Sequence, residues 1–398
     1  MTLLDPSLAE DARSLLPDVV DLRRRIHRRP EIGLDLPVTQ SAILEALDGL
    51  PLEVTTGTAL SSVTATLVGA RPGRRVLLRG DMDALVMPED TGVDFASENP
   101  GAMHACGHDA HVAMLVGAAR MLCARRDELE GSVRFMFQPG EEGSGGAVHM
   151  IDEGVLDGVD AAFAIHVTPN LPSGWVATRP GPLMASADEV FVTVRGHGGH
   201  ASTPHFTADP VPVACEIVGA VQTAITRRVD VFNPAVVTIA QIQAGTTTNV
   251  IPETASLSGT IRTTSERTRS RVHEDLERLA TGIAAAHGME ADVRIERGYP
   301  VTVNDADAAQ LVLDVAPTVV AEGARVVEAP APTMGAEDWS YVLQQVPGAM
   351  AFLGVCPPDI ADPREAPACH SNRMRLDEPA MATGTALHAA MALRMLEG

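Results

Sequence analysis

Between about Asp188 and Arg297 the apolar positions spell one complete small unit inside a larger one. The chain is thereby restricted to a discontinuous fold. The spacing predicts strand Glu189–Arg195, helix Asp209–Arg228, strands Ala235–Ala244 and Thr254–Thr263, helix Glu266–His287 and strand Ala291–Arg297. Repeats of period two and 3.6 in the order β-α-β-β-α-β mark a ferredoxin-like split βαβ sandwich. A run on the order of a hundred residues can bury a core of its own.

On either side the pattern is different. Apolar spacing predicts helices over Ser7–Arg29, stopped by Pro30, and over Val38–Leu50. Short β-rich runs follow at Ser62–Val68, Arg75–Arg79, Ser132–Phe137 and Ala161–Val167, with a helix over His108–Arg125 between them. After Asn304 the alternation resumes and ends in a helix over Glu378–Leu396. Interleaved strands and helices predict an α/β domain whose functional residues gather at strand ends. The expected organisation is an α/β catalytic domain in two pieces, 1–184 and 300–398, with residues 185–299 inserted as the smaller domain.

Charge narrows the chemistry. All 30 basic residues are arginine, against 52 acidic ones, giving a net charge of −22. Without lysine there is no Schiff-base or phosphate-loop lysine. The acidic excess argues against nucleic acid or an anionic membrane as partner. No apolar run is long enough to span a bilayer. The acidic stretch Met1 to Ala12 does not read as a signal peptide. Five scattered cysteines without a C-x-x-C pair suggest no disulfide framework and suit a reducing cytoplasm.

Two clusters carry the chemistry. In Met103-His104-Ala105-Cys106-Gly107-His108-Asp109-Ala110-His111, Cys106 and His108 stand two apart around a glycine, so thiolate and imidazole can face one ion of the zinc kind. The bland alternative is a polar loop capping the next helix. In Pro139-Gly140-Glu141-Glu142-Gly143, adjacent carboxylates in an extended turn point different ways. One can bind metal and the other serve as base toward an acidified water. The alternative is that the pair opens a helix, where acids favour the positive end of the dipole. His166 and His370 say little alone, and Asp81 and Asp83 either form a turn or orient a ligand histidine.

Together these elements closely resemble the metal-dependent amidohydrolases related to aminoacylase and the bacterial glutamate carboxypeptidase (peptidase family 20). The branch resembled, subfamily D, contains hippurate hydrolase, N-acyl-L-amino acid amidohydrolase and plant auxin-conjugate hydrolases. The resemblance runs through Arg24 to Glu31, Asp81 to Leu85, Met103 to His111, Pro139 to Gly143, His166, Gly198 to Ser202, Asn249 to Pro252, Gly259 to Thr263, Met334 to Asp338 and His370 to Asn372.

The resemblance implies a site for two divalent ions (Zn, Mn or Co) from Cys106, His108, Glu142, His166 and His370. Glu141 is then the general base and Asp83 the carboxylate beside the metals. The inserted domain becomes a lid and dimerisation domain. Its His200 holds the scissile carbonyl oxygen, from a partner subunit of a homodimer, and Asn249 and Arg262 contact substrate. Trp339 departs from the phenylalanine of many relatives. The implied reaction is hydrolysis of N-acyl-L-amino acids such as N-acetyl or N-benzoyl derivatives.

Rival readings are a dipeptidase or carboxypeptidase of the same superfamily, a catalytically silent metal-binding homologue, and a cysteine hydrolase using Cys106 with His108 or His111. The last leaves Glu142, His166 and His370 without a role. Arg23, Arg24, Arg25, Arg28 and Arg29 read as a solvated helix face paired with acids, His104 and His111 as supporting residues, and Cys123, Cys215 and Cys356 as buried small residues.

Overall fold

Short apolar runs bounded by glycine, proline and charge form an eight-stranded sheet in the computed structural model, which describes residues 7–398. Met1 to Pro6, the first half of the stretch read above for a leader, lie outside the described residues. Across the sheet the strands are Glu53–Thr56, Val63–Val68, Glu130–Gln138, Arg71–Asp81, Ala161–Thr168, Gly348–Gly354, Val176–Thr178 and Val326–Glu328. The four from Glu130–Gln138 to Gly348–Gly354 run parallel. Their buried apolar runs, such as Val76 to Leu78 and Phe135 to Phe137, suit strands covered on both faces. Their carboxyl ends share one edge, where open α/β sheets bind ligands.

Helices Ser7–His27, His108–Ala124 and Met381–Glu397 pack on one another. Small residues make this possible. A Cβ at Gly117 would lie 2.8 Å from Thr385 Cγ2 and 2.9 Å from Val19 Cγ2. With few aromatics, methionines such as Met82, Met114, Met381 and Met391 fill the core.

The chain divides into two compact units. One comprises residues up to Leu183 with Val303–Ala331 and Tyr341–Gly398, the other Met184–Thr302 with Pro332–Ser340. The second contains the β-α-β-β-α-β run as an antiparallel sheet, Ala235–Ala244, Thr254–Thr263, Ser186–Arg195 and Glu290–Arg297 in order. Helices Pro210–Arg228 and Glu266–Ala286 bury Ile217, Val221, Val272 and Leu276 against Val190, Val194 and Leu257 of that sheet. No helix among the described residues is long and apolar enough to cross a membrane.

Two bland expectations are corrected. Arg23 is not solvated: it is 3% exposed and pairs with Asp109 at 3.0 Å and Glu378 at 2.7 Å. Three apolar helix positions beside it (Val19, Leu22, Ile26) carry it inward. Of the three cysteines expected to be buried, only Cys356 is; Cys123 is half-buried and Cys215 exposed. Cys215 follows Ala214 and so points away from the Val213–Ile217–Val221 stripe of its helix.

His388, in the last helix, is fully buried edge-on to Phe163 at 5.6 Å, with no hydrogen bond to either ring nitrogen among the described residues. Burial, reinforced by His111, pushes its imidazole down to about 3. The unfolded imidazole therefore takes the proton first. Stability from this group is complete above about pH 6.5 and drains as pH falls toward the folded value. At pH 5 the loss is expected to reach about 2 kcal/mol. His388→Met should accordingly show a smaller drop in urea midpoint between pH 7 and pH 5 than the parent. An equal drop in both proteins would contradict this account.

Candidate metal centre

The Cys106–His108 turn is built around one residue. Gly107 precedes helix His108–Ala124 with φ +84°, and a Cβ there would lie 2.4 Å from Val167 Cγ2. Only glycine meets both demands. Gly107→Ala should therefore cost at least 1–2 kcal/mol, roughly the strain of a left-handed residue with a clash added. It should also lower affinity for zinc, measurable by calorimetry. Unchanged affinity in a folded variant would dissociate the turn from the site.

His166 ends a central strand, with Nδ1 donating to Val167 O at 2.7 Å. That bond fixes the tautomer and turns Nε2, as an acceptor, toward Cys106 Sγ at 3.4 Å. His370 is also left-handed, at φ +69°, and its N–H donates to Ala105 O at 2.8 Å, tying the last loop to the Cys106 turn.

These elements converge. Ligand atoms of Cys106, His108 and His166 lie within 4.8 Å of one another, and so do those of Cys106, Glu142 and His370. Cys106 belongs to both groups. His370 Nε2 is 3.0 Å from Glu142 Oε1. One thiol, three imidazoles and a carboxylate suit a borderline divalent ion such as zinc.

The side chains themselves call for a cation. His108 is fully buried with neither ring nitrogen hydrogen-bonded among the described residues, 3.4 Å from Asp81 and 3.5 Å from Asp83. Burial alone would lower its imidazole, but Asp81, Asp83 and Glu142 outweigh it and hold it up at about 10. A nest this acidic around donor atoms fits two metal ions.

Glu141 and Glu142 do not open a helix; the next one starts at Gly146. They sit in a turn after strand Glu130–Gln138, and their backbone N–H groups donate to the two oxygens of Asp83, each at 3.0 Å. Glu141 is 6% exposed. Asp83 thus fixes the direction of both carboxylates from one point.

Asp81, at the end of the neighbouring strand, accepts from Arg79 at 2.7 Å and from His111 Nδ1 at 2.5 Å. His111 Nε2 in turn accepts Val167 N–H at 2.8 Å. Its ring lies 5.5 Å from that of His108 and 4.9 Å from that of His166. A backbone N–H only donates, so His111 holds its proton toward Asp81 and props two candidate ligands.

A second layer lies behind the helix start. His27 bonds Asp109 at 2.8 Å and Glu89 at 3.2 Å, alongside the Arg23–Asp109 pair. The motif Arg24 to Glu31 was the only hint of it in the sequence. Cys369, which sequence reasoning gave no role, lies beside the Cys106 turn, its Sγ 4.0 Å from Cys106 O.

His200, Asn249 and Arg262 belong to the second unit. His200 pairs with Val250 in a short antiparallel bridge, and Ala201 N–H donates to Asn249 O at 3.0 Å, so two of the three are neighbours. Ser202 N–H donates to His200 Nδ1 at 3.2 Å. A neutral His200 therefore carries its proton on Nε2, exposed. Arg262, half-buried on strand Thr254–Thr263, makes no ion pair among the described residues; Nη1 reaches only its neighbour Ile261 O at 3.4 Å.

Comparison with known proteins gives a consistent picture. The family model described as peptidase family M20/M25/M40 matches residues 77–394. Thermostable carboxypeptidase 2 of Saccharolobus solfataricus is 38% identical over 97% of this chain and 98% of its own. The N-acyl-L-amino acid amidohydrolase of Geobacillus stearothermophilus is 40% identical over 72% of this chain and 78% of its own. Among solved structures, the Bacillus subtilis YXEP protein, a dinuclear metal binding peptidase from the M20 family, aligns with a TM-score of 0.84 and 33% identity. It covers 96% of this chain and 99% of its own.

Proposed function

The chain belongs to peptidase family M20/M25/M40 and is a hydrolase acting on amide bonds, and from that premise we propose that it hydrolyses N-acyl-L-amino acids to a carboxylic acid and a free amino acid. The observation that carries this reading is the membership of Cys106 in two ligand groups, with Glu141 buried beside Glu142. Cys106, His108 and His166 would hold one ion, and Cys106, Glu142 and His370 the other, as zinc, manganese or cobalt. Ions of this kind acidify water and polarise an amide carbonyl.

The protein's own groups do the rest. Glu141 accepts the proton of the attacking water and returns it to the departing nitrogen. Asp83 keeps Glu141 aimed through the turn backbone. His200, contributed by the second protomer of a homodimer, donates its Nε2 proton to the carbonyl oxygen as charge develops there. Asn249 contacts the substrate, and the unpaired fork of Arg262 receives its carboxylate. A thiolate ligand suits a reducing cytoplasm.

The Saccharolobus relative, matched end to end, bears a carboxypeptidase name, which favours a second reading in which dipeptides are cleaved. A mass-spectrometric panel of N-acyl amino acids, N-acyl diaminopimelate and dipeptides, run with each of the three metals, separates them. N-acetyl or N-benzoyl amino acids are expected to turn over with metal and to stop with chelator. A higher kcat/KM on dipeptides than on any N-acyl compound would move the assignment to peptidase. Absence of turnover across the panel would overturn both.

A further inference from the structure

We propose that Cys106 and Cys369 are a redox pair: a peroxide joins them in a disulfide that withdraws the shared metal ligand, and a dithiol reductant restores it. The part that concerns metal rests on the reading of Cys106 as common ligand.

Cys369 directly precedes His370, whose N–H bond to Ala105 O holds the two loops together at 2.8 Å. Its Sγ lies 4.0 Å from Cys106 O and 3.8 Å from Val167 O. The Cys369 thiol therefore lies against the backbone of Cys106 itself. A disulfide needs the sulfurs at about 2 Å, an approach that rotation of the half-buried Cys369 side chain toward Cys106 supplies. Cys369 belongs to none of the ligand groups, so its thiol is left over by the metal centre. It is half-buried, whereas Cys106 is buried. No disulfide occupies either residue.

The chemistry balances. Cys369 sulfur attacks the O–O bond of hydrogen peroxide and becomes a sulfenic acid, releasing one water. Cys106 sulfur then attacks that sulfur; the S–S bond forms and the hydroxyl leaves as a second water. The two thiols lose two electrons and two protons, and the peroxide is reduced to two waters. A Cys106 thiolate sharing its electron density with two metal ions would be a weaker nucleophile and would be held in place, slowing this attack. Occupied enzyme is therefore protected, and enzyme that has lost its metal is locked until reduced.

The missing lysines simplify the test, because trypsin then cuts only after arginine. Cys106 falls in peptide 80–120 and Cys369 in peptide 365–373. Chelator-treated and zinc-loaded protein are exposed to hydrogen peroxide, alkylated, and digested without reduction. The cross-linked pair, two hydrogens lighter than the sum of its peptides, is expected from metal-free protein and at least tenfold less from loaded protein. Calorimetry should show zinc binding lost on oxidation and regained with dithiothreitol. Cys369→Ser should bind zinc normally before oxidation. After peroxide it should fail to recover with reductant, since Cys106 then oxidises past the sulfenic stage with no partner. Absence of the cross-link from metal-free protein overturns the pair. Zinc binding that survives cross-linking instead overturns Cys106 as shared ligand, and the switch with it.

Discussion

Replacing Glu141 with glutamine is expected to lower kcat by about a hundred- to ten-thousandfold, the usual share of a positioned general base. Glutamine keeps the size of the side chain and leaves the two backbone bonds to Asp83 intact. What it removes is a proton acceptor in a buried turn. Glu141 lies outside both ligand groups that contain Cys106, so metal stoichiometry should stay at two. Parallel measurement of kcat and of bound metal by mass spectrometry separates the two effects. A variant with wild-type kcat would remove Glu141 from the reaction, and one that loses metal would recast it as a ligand.

Cys106→Ala should take out both ions together. A residue serving one group would leave the other with three intact donors, as expected for His166→Ala or His370→Ala. Cys106 stands in both groups, so its loss leaves two donors to each. The fall in affinity should exceed the roughly 10- to 100-fold cost of disturbing an outer partner of a ligand. Calorimetric titration with zinc gives stoichiometry and affinity at once. Two equivalents bound at parental affinity would show that the thiol is not shared.

The elements were largely legible in the sequence because periodicity reports local burial. Strands expected over Ala235–Ala244 and Thr254–Thr263 have those limits, and the helix expected to end at Arg228 ends there. Others shift at their edges. The Arg75–Arg79 strand extends over Arg71–Asp81, as Asp81 pairs with Gln138 of the next strand. Strand order is absent from spacing, since adjacent strands such as Gly348–Gly354 and Ala161–Thr168 lie far apart in the chain. Arg23 misled for a related reason. An arginine on a polar-looking face reads as solvated unless its partners are known, and Asp109 and Glu378 are remote.

By itself the sequence determined the donor types and their local geometry. A thiol and an imidazole sit around an obligatory glycine, two carboxylates share a turn, and histidine is kept where lysine is excluded throughout. Tertiary structure decided which donors meet. It makes Cys106 common to two groups, hangs Glu141 and Glu142 from Asp83, places His111 between two candidate ligands and sets Cys369 against Cys106. The physical reason is range. Backbone preferences and apolar period act over a few residues, whereas these contacts join parallel strand ends and a distant loop only after the sheet has assembled.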